Sequence, residues 1–201
     1  EFFHPQSNSL PQKTLHKLAS AITHAGEDPN TIVIILRSAG ESVFCAGASF
    51  DELIAIQNLE EGTRFFAGFA NVINAMRTCT KLIIGRVHGK AVGGGVGLAA
   101  ATDYCVASCY SEIKLSELTI GIGPFVIEPA VTRKIGLSAM SQLSLEANKF
   151  FSAEWAQQKG LYTNIYSSVE DLDNQVKLLA EQLCSYNPEA LTRLKETFWE
   201  G

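Results

Sequence analysis

One segment restricts this chain more than any other. His88-Gly-Lys-Ala-Val-Gly-Gly-Gly-Val-Gly-Leu-Ala-Ala-Ala-Thr102 puts five of the 16 glycines into nine positions, after an apolar strand-like run and before an alanine-rich helical stretch. A strand-to-helix junction so poor in side chains lets bare backbone N–H groups approach a ligand, so a partly negative atom belongs there. The competing explanation is close packing of a small-residue helix on a neighbour.

The surrounding pattern is α/β. Thr31–Leu36 is a β-branched apolar run read as an inner strand, and Lys81–Val87 and Tyr104–Ala107 have the same character. Leu15, Leu18, Ala19 and Ile22 precede the first at helical spacing. Phe65, Phe66, Phe69, Val72, Ile73 and Met76 precede the second in the same way. Strands alternating with helices imply a largely parallel sheet. Beyond Ser108 the strand signal fades, and 129–135, 138–147, 152–159, 172–183 and 188–199 read as helices. Ser152, Ser168 and Asn187 are their candidate caps.

Composition removes several function classes. The chain has 201 residues, 46% hydrophobic and 18% charged, with a net charge of −5 and its basic residues scattered singly. That is one sizeable core without an electrostatic footprint for nucleic acid or an anionic membrane. No apolar run reaches spanning length. Cys45, Cys79, Cys105, Cys109 and Cys184 are odd in number and lack metal-ligand spacing, which fits reduced thiols in a cytoplasmic compartment and no metal.

The ligand of the glycine segment is approached by elimination. Gly89-Lys90 lacks both the first glycine and the Ser/Thr of a phosphate-binding Walker loop. Gly95-Val-Gly97-Leu-Ala-Ala100 meets a loose dinucleotide pattern, but no acidic residue follows the next strand to hold a ribose. No nucleophile elbow is present. His4, His16 and His24 read as surface residues and His88 as a packed turn residue rather than a base. A second glycine turn, Phe44-Cys-Ala-Gly-Ala48, follows the first strand after a short turn. Two such turns at the ends of adjacent strands can aim two N–H groups at one oxygen, which is an oxyanion hole. Cys45, among apolar neighbours, reads as an inert buried thiol.

At these two motifs the chain resembles the crotonase superfamily, the enoyl-CoA hydratase/isomerase fold. Phe44–Leu53 is similar to that family's first oxyanion segment and Val87–Gly95 to its second. Asn8-Ser-Leu-Pro11, Ser116-Glu117-Leu118 with Gly121, Ser152–Leu161 and Asn187-Pro188 follow in the family's order. The resemblance implies an α/β, ββα spiral core over 1–150 holding an acyl-CoA site, and a helical C-terminal region over 151–201. It implies that the N–H groups of Ala48 and Gly94 bind the thioester oxygen, that Glu117 is the acid/base, and that Ala46, Ala48, Gly94 and Gly121 contact the CoA thioester. No separate cofactor is implied, coenzyme A being part of the substrate.

The departures from the pattern shape the functional expectation. A second catalytic glutamate of familiar hydratases falls at Gly97, as in a branch associated with methylglutaconyl-CoA hydratases of leucine degradation, and the space so left would admit a water or a branched, carboxylated acyl group. Ser49 and Asp51 stand where an acid and a phosphate-binding base are usual. Glu128 either replaces the missing carboxylate or caps a helix, the cap being favoured. The expectation is a single-glutamate enoyl-CoA hydratase, with Δ3,Δ2-enoyl-CoA isomerase and a non-catalytic acyl-CoA-binding paralogue as alternatives. A homo-oligomer, trimer or dimer of trimers, is implied, in a chain that is short at both ends relative to the family.

Overall fold

The computed structural model describes residues 1–200. In chain order it contains α1 (Gln12–Glu27), β1 (Val33–Arg37), β2 (Val43–Cys45), α2 (Phe50–Ile54), α3 (Leu59–Thr78), β3 (Leu82–Val87), β4 (Lys90–Val92) and α4 (Gly94–Ala100). There follow β5 (Tyr104–Ser108), β6 (Ile113–Lys114), a 3-10 turn (Glu117–Ile120), α5 (Glu128–Leu145), α6 (Ala153–Gln158), β7 (Asn164–Tyr166), α7 (Val169–Cys184) and α8 (Pro188–Trp199). The α/β architecture expected from the alternating pattern is present.

Two parallel sheets carry it. The larger runs β1-β3-β5-β7 and the smaller β2-β4-β6. Alternate residues of a strand face opposite sides, and β3 uses this fully. Ile84 packs with Val106 against Leu172 and Val176 of α7, while Ile83 and Val87 join the main core with α1, α3, α4 and α5. Arg86, on the α7 side, is buried and makes two hydrogen bonds to the Asp173 carboxylate, Nε–Oδ1 2.7 Å and Nη2–Oδ2 3.0 Å.

Two expectations are corrected. β1 is not an inner strand: it ends the four-stranded order, is half-buried, and has only the Phe2–Ser38 bridge on its far side. An apolar β-branched run is equally suited to a strand covered by a helix on one face, as Val33 is by α7. Nor is the chain beyond residue 108 wholly helical. β6 completes the small sheet, and β7, inside the region read as helical, pairs with β5. Strands of two and three residues carry no measurable periodicity, and β7 begins on a polar asparagine.

The helices and their ends follow the reading closely. Ser152, Ser168 and Asn187 accept hydrogen bonds from N–H groups of the first turns of α6, α7 and α8. Gly136, at φ 74° and ψ 160°, breaks α5 into two segments where the two helices were separated in the sequence. None of the described helices is long and apolar enough to cross a membrane.

Candidate active site

The three strands of the small sheet end on the three chemical features singled out in the sequence. β2 runs into Ala46-Gly47-Ala48, β4 into Gly93-Gly94, and β6 into Leu115-Ser116-Glu117. Parallel strands deliver their carboxyl ends to one side, where ligands of open α/β sheets collect. The two glycine turns therefore follow β2 and β4, not the longer β1 and β3 from which they were first projected.

Each turn fixes one peptide plane. Gly47 has φ 92°, a left-handed conformation that a side chain resists, and its carbonyl accepts from Leu10 N–H at 2.8 Å. In a planar trans peptide the N–H of the next residue points opposite, so Ala48 N–H is turned away from Leu10. It meets no acceptor among the described residues. Gly93 has φ 53° and ψ −119°, and its carbonyl accepts from Val96 N–H at 2.9 Å and Gly97 N–H at 3.3 Å. That leaves Gly94 N–H, in the first turn of α4, without an intrahelical partner. The turns adjoin: a Cβ built on Gly47 would stand 3.5 Å from the Gly94 nitrogen.

A cavity of ≈ 190 Å³ opens onto these turns. Ala46, Gly47, Ala48, Gly93 and Gly94 form one wall, with Ser116 and Glu117 beside them. Phe65, Phe66 and Phe69 of α3, with Ile120, Ile122, Val126 and Ile127, form much of the rest. Glu117 is the one titratable side chain in this lining. Its Oε1 lies 2.9 Å from where a Cβ on Gly93 would be. Its Oε2 is buried without a hydrogen-bond partner, and burial raises its pKa above the ordinary glutamate value. An apolar cavity with two free N–H donors and one easily protonated carboxylate can polarise a carbonyl and move a proton beside it.

Other sequence-derived candidates divide. Ala46 lines the cavity, but its N–H donates to Ser7 O at 3.2 Å, leaving its carbonyl for a ligand. Gly121 does not line it: it closes the 3-10 turn in a left-handed conformation, φ 80°, on the surface. The space expected at Gly97 is absent. Ile127, 3% exposed, fills it, with its Cβ 2.7 Å from where a Gly97 Cβ would stand. No water or acyl branch fits there. Glu128 does not replace the missing carboxylate, being outside the cavity lining and accepting from Thr132 Oγ1 at 2.6 Å. The residue in the cap position of α5 is Ile127, so Glu128 sits in the first turn, where its charge opposes the positive helix end without a cap hydrogen bond.

His88 is buried, with both ring nitrogens unpartnered and its pKa lowered by burial and by Arg86, and it does not line the cavity. Cys45 is fully buried, and burial pushes its thiol up to about 12, which suits an inert packing residue. Ser49 caps α2 through its hydroxyl, and Asp51 accepts from Gln6 Nε2 at 3.3 Å. The walls were what sequence reasoning missed. Phe65, Phe66 and Phe69 read as core stripe at helical spacing, and Ile127 gave no signal that it would meet Gly97.

Comparison with known proteins bears directly on this arrangement. Residues 1–201 match the Enoyl-CoA hydratase/isomerase family model. Carnitinyl-CoA dehydratase of Escherichia coli strain K12 is 30% identical over 198 residues, covering 96% of this chain and 73% of that protein. The peroxisomal Delta(3,5)-Delta(2,4)-dienoyl-CoA isomerase of Arabidopsis thaliana is 29% identical over 203 residues, covering 94% and 71%. An enoyl-CoA hydratase structure from Bacillus anthracis superimposes with a TM-score of 0.88 at 30% identity, covering 95% of this chain and 73% of that one. One from Mycobacterium smegmatis gives 0.90 at 25% identity, covering 96% and 74%. Sequence and backbone agree along the chain's length, and with the crotonase fold in place this chain belongs to the enoyl-CoA hydratase/isomerase family.

Proposed function

We propose that this chain is an enoyl-CoA hydratase that uses one carboxylate. The observation that carries the reading is Glu117, held against the Gly93-Gly94 turn in the same apolar cavity as the free N–H groups of Ala48 and Gly94. The thioester oxygen accepts from both N–H groups. As a water oxygen bonds to the β-carbon, the electron pair of the α,β double bond moves toward the carbonyl and gives an enolate that the two donors stabilise. Glu117 takes the proton that water loses and returns it to the α-carbon as the enolate collapses. Its raised proton affinity suits both halves of that transfer.

One observation favours a second reading, isomerisation of a 3-enoyl-CoA. Ile127 closes the Gly97 position, so no second carboxylate shares the work of holding water. Isomerisation needs none: Glu117 removes an α-proton, the electron pair delocalises through the dienolate, and the proton returns at the γ-carbon. In either reaction the acyl group is uncharged, because no Lys, Arg or His among the described residues lines the cavity to meet a distal carboxylate. That weighs against a methylglutaconyl substrate. Oligomerisation belongs to the same proposal, supported by exposed Leu137 and Leu145 on α5 and measured by mass in solution.

The test is turnover of crotonyl-CoA, 3-methylglutaconyl-CoA and a 3-enoyl-CoA, followed by the conjugated enoyl absorbance. Loss of that absorbance with crotonyl-CoA is expected. Its appearance from the 3-enoyl-CoA alone would establish isomerisation instead, and acyl-CoA binding without turnover would establish the non-catalytic paralogue.

A further inference from the structure

Ser7 and Asn8, with φ of 53° and 54°, are the two non-glycine residues in the left-handed region among the described residues. Two such residues in succession are strained, and strain of this kind persists only where the surroundings over-determine it. Here the determinant is the Asn8 side chain, 3% exposed and fully hydrogen-bonded. Its Oδ1 accepts from His4 N–H at 2.8 Å, and its Nδ2 donates to Ala39 O at 2.8 Å and to Val43 O at 3.0 Å. One amide thus joins the turn to the segment after β1 and to the first residue of β2.

What the turn presents is a backing for the first oxyanion segment. Ser7 O accepts from Ala46 N–H at 3.2 Å, Leu10 N–H donates to Gly47 O at 2.8 Å, and Leu10 O accepts from Ser49 N–H at 3.3 Å. Ser9 Oγ adds a bond to Ala48 O at 3.0 Å. The four consecutive residues Ala46–Ser49 are therefore held by three residues of the turn, Ser7, Ser9 and Leu10. The Leu10–Gly47 bond fixes the plane of the peptide that carries Ala48 N–H. Without it, that plane is free to rotate about the glycine and carry the donor away from the thioester oxygen.

We propose that Asn8 is a positioning residue for the oxyanion donor of Ala48, acting through the Leu10–Gly47 hydrogen bond, with Ser9 as its auxiliary. The inference rests on the acyl-CoA reading above. Asn8 does not line the cavity. It sets where the turn lies, the turn sets the peptide plane, and the plane sets how far the thioester is polarised.

The experiment compares wild type with Asn8→Ala, Asn8→Gly and Ser9→Ala, with circular dichroism as the check on folding. Asn8→Gly keeps the positive φ free of strain while removing the amide, so it carries the test if Asn8→Ala does not fold. Two readouts apply: kcat and KM on the substrate that wild type turns over, and the absorbance of bound cinnamoyl-CoA, a chromophore that shifts to the red when its carbonyl is polarised. Folded Asn8→Gly is expected to lose kcat by about 10²-fold, the scale of a misplaced catalytic group, with KM little changed and the red shift reduced. Ser9→Ala is expected to show a smaller loss in the same sense. A folded Asn8→Gly with wild-type kcat and the full red shift would overturn the inference. Failure of wild type itself to bind or shift cinnamoyl-CoA would overturn the acyl-CoA reading and the inference with it.

Discussion

Glu117 Oε1 lies 2.9 Å from the point where a Cβ on Gly93 would stand. The Glu117 carboxylate and the Gly93-Gly94 turn are thus in contact, and the absence of a side chain at residue 93 is what permits it. Gly93→Ala would meet this carboxylate and a backbone, φ 53° with ψ −119°, that only glycine adopts without strain. The expected destabilisation is about 1–3 kcal/mol, read by urea titration. Activity should fall by more than that loss of folded protein explains, because the carboxylate must move away from the substrate.

Glu117→Gln separates catalysis from stability. If Glu117 carries the proton as proposed, its loss should lower kcat by about 10²–10⁴-fold. Stability should move the other way. Burial raises the Glu117 pKa, so the folded state binds its proton more tightly than the unfolded chain does. The group's contribution is full below the unfolded value and is lost as pH rises through the folded one. The variant should therefore gain in melting temperature over wild type as pH is raised through and above the ordinary glutamate range. In the same window, wild-type kcat/KM should rise along an acid limb whose midpoint lies above the ordinary glutamate value.

The Gly97–Ile127 contact predicts a coupling. A methyl group on residue 97 would meet Ile127 in a filled space, with Ile73 Cδ1 also 3.5 Å away. Gly97→Ala should destabilise by about 1–3 kcal/mol through overpacking. Ile127→Ala alone should also destabilise, by opening a void. The double variant should recover part of the sum, and the interaction energy from the four-protein cycle reads this directly. Strict additivity would show that Ile127 yields without cost.

These contacts mark where the sequence stopped being legible. Helices with a stripe and a cap were readable: Ser152, Ser168 and Asn187 act locally, within three residues of the N–H groups they accept from. So were β3 and β5, whose apolar runs are long enough to carry a pattern. β2, β4 and β6, which position the site, are too short for any period, and their order is a tertiary fact. The motifs named Ala48, Gly94 and Glu117 in the right order, and all three line one cavity. No local signal could place Ile127 against Gly97, thirty residues away in the chain, or tell that Asn8 braces Val43. Packing and bracing are properties of pairs, whereas a motif is read along one segment.

The docking of α8 yields a last prediction. Lys195 and Asp103 side chains are each 2% exposed and pair at 2.9 Å, and Lys195 Nζ also donates to Lys81 O at 2.8 Å. The Asp103 carboxylate further accepts from Ile83 N–H at 2.7 Å and Trp199 Nε1 at 3.0 Å, so one acid joins β3 to two side chains one turn apart at the end of α8. A buried pair of this kind need not exceed an apolar replacement in stability, but breaking it from one side leaves a charge without its partner. Lys195→Met should therefore cost about 3–5 kcal/mol, while Lys195→Met with Asp103→Asn should cost less than the single change. Neither residue lines the cavity, so the folded fraction of Lys195→Met should keep its kcat. Hydrogen exchange should quicken in α8 before it does in β3, since the helix loses its anchor while the strand keeps both neighbours. Equal quickening in both would mean that α8 and the sheet open as one unit and that the ion pair is not what holds them together.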